Sequence, residues 1–219
     1  MSAPTLASLG AGFSNEAFGS QTVFRAVLQA LSHPGRCIAL EHDAQTPAVG
    51  HAASAAVLLA LLDSDCTLWL SPRLAASDAG VWLRFHTGCT LVNDPAHARF
   101  VWVAQGDALP ALQTLAQGSD TYPDQSATCV VDVAQATVTP VGAAGAWRLT
   151  GPGIQGVTAL AVEGLPEDFA AQWVANHAAF PRGVDVLLGT AEHIVGLPRT
   201  TRAIRTAAHA GCEPQPQEA

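Results

Sequence analysis

"FPRGVDVLLGTAEHIVGLPRTT", Phe180 to Thr201, holds two short apolar runs joined by a polar turn at Thr190-Ala191-Glu192. Runs of this length, rich in Val, Ile and Leu and bounded by Gly and Pro, read as the two strands of an antiparallel hairpin. Asp185 interrupts the first run, and a carboxylate inside an apolar run needs a partner if it is buried. A register that puts Asp185 opposite Leu197 or Arg199 places Asp185 and Arg199 on one face. Two readings follow. Asp185 and Arg199 form a structural ion pair, or Arg199, Thr200 and Thr201 form an anion site. In the second reading the guanidinium matches a phosphate bidentately, the hydroxyls add donors and Asp185 orients Arg199.

Upstream of this hairpin the chain alternates. Val23, Phe24, Val27, Leu28 and Leu31 recur at helical spacing after Ser20, and His33-Pro34-Gly35 stops that helix. "RCIALE" reads as a strand, "HAASAAVLLALLDSD" as a strongly apolar helix, and "CTLWLSP" as a second strand. A helix is expected from Ser77 to about His86 with Val81, Trp82 and Phe85 inward, and another from Asp107 to Gly118. "RFVWVA", "ATCVVDVA", "AWRLTG" and "TALAVEG" read as strands. "LPEDFAAQWVANHAAF" reads as a helix whose first turn carries acids, where the dipole favours them. Alternation in the first half and clustered strands in the second predict a layered α/β domain with a mixed sheet. It spans residues 18–203, between a loosely ordered start at 1–17 and a disordered tail at 204–219.

Among 219 residues the formal net charge is −8, which argues against a nucleic-acid groove or an anionic membrane surface. No apolar run is long enough to span a bilayer, and the start lacks the pattern of a signal peptide, so a cytoplasmic protein is expected. All ten basic residues are arginines. Without a lysine there is no Schiff base to pyridoxal phosphate and no P-loop. The five cysteines are dispersed, with no C-x-x-C pair, which speaks against a disulfide framework or a metal site.

Two further clusters carry polar chemistry. Arg84, His86 and Thr87 lie at an expected helix end, where they serve either as caps or as contacts to a phosphorylated ligand or neighbouring subunit. "RLTGPGIQG", Arg148 to Gly156, is a strand running into a Gly-Pro-Gly turn that fits no nucleotide-loop pattern. The histidines are scattered and no G-x-S-x-G elbow is present, so a catalytic triad has little support.

In order along the chain, "FRAVLQALSHPG", "WLRFHTGCTLV", "RLTGPGI", "FPRGVDVLL" and "LPRTT" resemble the PhnH family, the H subunit of the bacterial carbon–phosphorus lyase system. The resemblance runs from about Phe24 to Thr201. In the family pattern F-P-x-G-[IV]-D and P-R-T-T, this chain matches at Phe180, Pro181, Gly183 and Asp185 and at Pro198 to Thr201. Arg182 falls at the open position. The resemblance implies a fold like that of pyridoxal-phosphate-dependent transferases without the cofactor, a homodimer, and partnership with the G, I and J subunits. It implies a role in attaching a phosphonate to the ribose of ATP with loss of adenine, giving a ribose 1-phosphonate 5-triphosphate. The ATPase-like L subunit joins in that step, and the iron–sulfur cysteines of later steps belong to the J subunit. It identifies no catalytic residue. The candidate ligand residues remain Arg199, Thr200, Thr201, Asp185, Arg84 and His86, in a subunit that is structural or ligand-supporting. The alternative is a stand-alone phosphate- or sugar-phosphate-binding protein.

Overall fold

A computed structural model describes residues 9–206 of the chain. Its centre is a seven-stranded mixed sheet. In chain order the strands of this sheet are β1 (Ile38–Ala39), β2 (Thr67–Leu70), β3 (Thr90–Leu91), β4 (Phe100–Val103), β5 (Thr128–Asp132), β9 (Asp185–Gly189) and β10 (His193–Leu197). They lie in the order β1-β10-β9-β5-β4-β2-β3. The five from β9 to β3 are parallel, and β10 and β1 add antiparallel pairs at one edge. A second sheet is antiparallel throughout. It contains β6 (Gln135–Thr139), β7 (Trp147–Thr150), β8 (Thr158–Glu163) and β11 (Arg202–Arg205), in the order β11-β7-β8-β6.

Period-two alternation sorts the central strands between two cores. Leu68, Trp102, Val130, Leu187 and Ile194 point to one face, where α1 (Glu16–Ser32), α2 (Ala52–Leu61) and α4 (Ala79–Thr87) pack, with the single turn α3 (Pro72–Ala75) beside them. Val101, Val103, Cys129, Val131, Val186, Leu188 and Val195 point to the other. There they meet Trp147, Leu149, Leu160 and Ala203 of the small sheet and Phe169 and Trp173 of α5 (Phe169–Ala178). Full burial of each such large side chain contributes about 2–3 kcal/mol.

Local sequence explains most helix limits. Asn15 caps α1 by accepting the Phe18 N–H at 3.1 Å, five residues ahead of the expected Ser20, and Glu16 sits in the positive first turn. Val23, Val27 and Ala30 form the buried face, while Phe24 and Leu28 turn to solvent. Ala53 to Leu58 are buried on all sides because α2 lies between the sheet, α1 and α4. In α4, Trp82 and Leu83 face inward and Phe85 does not, contrary to the expected face. Gly196 lets α1 lie directly on β10: a Cβ there would run into the Ala30 carbonyl.

Three expectations are corrected. Residues 107–118 form no α-helix: they make only a 3-10 turn at Leu112–Thr114, with Leu112 and Leu115 buried. Pro110 removes a donor, and Asp107 spends its carboxylate on the Ser71 hydroxyl (2.6 Å) and the Arg73 N–H (2.9 Å). The tail boundary at 204 cuts through β11, whose Ile204 and Arg205 pair with Arg148 and Trp147. Residues 9–13 are not loose, since Leu9 and Phe13 pack on the first core and Gly10 accepts the Trp82 indole N–H at 2.8 Å. Residues 1–8 and 207–219 lie outside the described residues. No helix among the described residues is long and apolar enough to cross a membrane.

Candidate functional site

Pro198 cannot donate to a ladder, so β10 ends at Leu197 and the chain turns, with the Thr201 N–H donating to the Pro198 carbonyl at 2.8 Å. The turn swings Arg199 back over the start of β9. Its backbone N–H donates to Asp185 Oδ1 at 2.8 Å, Nε to the same oxygen at 3.2 Å, and Nη2 to Oδ2 at 2.6 Å. Nη1 donates to the carbonyls of Pro123 (2.9 Å) and Pro181 (3.4 Å), and Nη2 also to the Ser126 hydroxyl. A guanidinium has five N–H groups, and here each has an acceptor within the protein. The Arg199 side chain is only 12% exposed and that of Asp185 25%. By contrast, Arg182 meets Asp120 at 3.4 Å across an exposed surface, a pair worth at most about 1 kcal/mol.

The Asp185–Arg199 pair arises from a register other than the expected ones. Val186 faces Leu197, so the next step of the ladder would bring Asp185 opposite Pro198, not Leu197 or Arg199. In a regular ladder that register puts Arg199 on the opposite face. Leaving the ladder at Pro198 is what lets the two side chains meet.

Thr200 and Thr201 diverge. Thr201 is fully buried, its carbonyl accepts the Trp173 indole N–H at 2.9 Å, and its hydroxyl has no hydrogen-bond partner among the described residues. Thr200 is half-buried and lines a shallow groove of about 330 Å³ with Pro123, Phe180, Pro181 and Pro198, floored by Asp185 and Arg199. His177 of α5 steadies the turn. Its Nδ1 meets the Arg199 carbonyl at 2.9 Å and its Nε2 accepts from Arg202 Nε at 3.1 Å, so the proton resides on Nδ1.

Arg84 and His86 lie elsewhere, in the last turn of α4, and share no hydrogen-bond partner with the Arg199 cluster. Gly88, in the left-handed conformation, closes that helix by donating to the Arg84 carbonyl at 3.0 Å. His86 Nε2 donates to the Gly10 carbonyl at 3.0 Å, and its ring meets Trp82 and Phe85 edge-on at 5.1 and 5.0 Å. It anchors the N-terminal segment. Arg84 is exposed and forms no ion pair among the described residues.

A third polar centre has no counterpart in the sequence reading. Asp132, 1% exposed, ends β5 and accepts the His51 backbone N–H at 2.9 Å and the Trp102 indole N–H at 3.1 Å. Burial pushes its carboxyl above the usual carboxylate range, and these bonds together with the nearby Ser54 hydroxyl pull it partly back. The signal was an aspartate inside the apolar run "CVVDVA", the same signal that singled out Asp185.

With this geometry in place, likeness to known proteins is informative. The family described as "Bacterial phosphonate metabolism protein (PhnH)" matches residues 11–204. The PhnH subunit of alpha-D-ribose 1-methylphosphonate 5-triphosphate synthase from Rhizobium meliloti (strain 1021) is 38% identical over 195 residues, covering 88% of this chain and 94% of that protein. The putative C-P lyase subunit protein HtxG of Stutzerimonas stutzeri is 35% identical over 189 residues, covering 86% of this chain and 88% of that protein. The hairpin with its buried Asp185–Arg199 clamp thus sits within a match that spans nearly all of the described residues, and the chain belongs to the PhnH family of bacterial phosphonate metabolism proteins.

Proposed function

We propose that this chain is a subunit of the system that forms alpha-D-ribose 1-methylphosphonate 5-triphosphate in phosphonate catabolism. The observation that carries this reading is the near full-length match to a subunit bearing that name. Within the assembly the chain is a structural or ligand-supporting component, cytoplasmic, paired with a second copy of itself and bound to the G, I and J subunits. ATP and a phosphonate are the reactants of the assembly. The saturated Arg199 guanidinium supports a structural hairpin clamp over a ligand anchor. We also take the fold as a relative of the pyridoxal-phosphate-dependent transferases. The chain has no lysine, so its residues do not fit that cofactor held as a Schiff base.

The test is co-expression of the tagged chain with the G, I and J subunits. Co-purification in fixed ratio, together with loss of growth on methylphosphonate when the gene is deleted, is the expected result. A chain that never associates with them and is dispensable for that growth overturns the reading.

A further inference from the structure

Two glycine-bearing loops that are far apart in sequence lock together beside α1. Gly153, at φ +80°, stands where a Cβ would strike the Ser32 carbonyl and come within 3.0 Å of Pro34 Cδ. From the other side, Gly35 lies against Leu149 and Thr158, where a Cβ would come within 2.5 and 2.9 Å of their side chains. The approach is so close that neither position tolerates a side chain, and the two loops hold one another in place.

Between them opens a cavity of about 260 Å³ whose polar groups include His33, Arg36, Gln155 and Thr158. No carboxylate lines it, in a chain with eighteen acidic residues against ten basic ones. Arg36 is exposed, and its guanidinium has no hydrogen bond or ion pair among the described residues, in contrast to Arg199. The N–H groups of Gly153, Gln155 and Gly156 likewise meet no acceptor among the described residues. Carbonyls at the end of α1 already serve as acceptors or lie against the loop: Gln29 O accepts the His33 N–H at 3.1 Å and the Ser32 hydroxyl at 3.2 Å, His33 O accepts the Arg36 N–H at 3.1 Å, and Ser32 O lies against Gly153. His33 Nδ1 also faces Gln29 O at 3.3 Å. The cavity lining therefore offers donors and positive charge, and no carboxylate among the described residues lines it.

We infer that this cavity binds a tetrahedral oxyanion of the phosphate or phosphonate class. The Arg36 guanidinium grips two oxygens in parallel, the N–H groups of Gly153 and Gln155 cradle the anion, and the Thr158 and Gln155 side chains complete the shell. The site is distinct from the Arg199 hairpin and involves none of its residues. The anion is either a free phosphonate or phosphate, or a phosphoryl group of a nucleotide.

Titration calorimetry on the full chain with inorganic phosphate, methylphosphonate and ATP, each in a non-phosphate buffer, distinguishes these sources. Saturable binding of at least one of them is expected, weakened tenfold or more by Arg36→Ala and two- to fivefold by Thr158→Val. Binding of ATP alone identifies the nucleotide as the source; binding of methylphosphonate or phosphate identifies the free anion. Circular dichroism of Arg36→Ala should match wild type, because the Arg36 side chain has no partner among the described residues to lose. The inference fails if the wild-type chain binds none of the three, or if both variants bind as tightly as wild type. This result is independent of co-purification with partner subunits, so either reading can fail without the other.

Discussion

Asp185 holds Arg199 through three hydrogen bonds, one to the backbone N–H and two to the guanidinium, at 2.8, 3.2 and 2.6 Å. The remaining guanidinium donors go to Pro123, Pro181 and Ser126. The pair thereby ties the end of β10, the start of β9 and the loop before β5 into one unit.

Arg199→Ala is expected to lower stability by about 2–4 kcal/mol, because it removes the guanidinium donors from a mostly buried carboxylate, which keeps only the backbone N–H, and from two carbonyls. Arg199→Lys should recover less than half of that loss, since an ammonium cannot reach acceptors arranged around a planar fork. Urea denaturation of the purified chains measures both. Midpoints equal to wild type would show that the clamp does not hold the hairpin.

Thr201→Val tests the donor role once expected of Thr201. The substitution keeps the shape and removes a buried hydroxyl that has no partner among the described residues, so stability should stay level or rise by up to about 1 kcal/mol. Growth on methylphosphonate should persist. A stable variant that cannot support growth would restore the hydroxyl to a functional role.

Asp132 should make stability depend on pH. Its carboxyl is raised in the folded chain, so the native state binds more protons than the unfolded state between the unfolded value, about 3.9, and the raised folded value. The stability contribution is therefore fully present below about pH 3.9 and is lost as pH rises through the folded value. The difference in unfolding free energy between wild type and Asp132→Asn should shift toward wild type as pH falls from 7 to 4.5. Parallel curves would show that Asp132 titrates alike in both states.

The hairpin was legible because it is local: alternation, length and a polar turn lie within twenty-two residues. The same applies to the Ala-rich α2 and to Val101–Val103 and Val130–Val131, where continuous apolar runs of β-branched and aromatic residues mark strands buried on both faces. The missed elements carry weak local signals. In β6, "QATVT" exposes most of its residues on an edge, and in β11 "RAIR" buries only Ala203, so neither displays an apolar pattern. The expected helix at 107–118 failed because Asp107 had a stronger claim on it from Ser71 and Arg73, more than thirty positions earlier.

Sequence by itself determined the α/β class, the exclusion of lysine chemistry and the family resemblance, and it singled out Asp185 and Arg199 without fixing how they meet. These depend on residue type, spacing along one segment, or motif order. Only the tertiary structure decided that Arg199 has no donor to spare, that Thr201 and Asp132 are buried, and that the loops at Gly35 and Gly153 enclose a cavity lined by Arg36. Each depends on which acceptors, up to about 120 positions away, fill the space around a side chain. Hydrogen bonds saturate and volume is exclusive, so a side chain's availability is set by its three-dimensional neighbours and not by its neighbours in the chain.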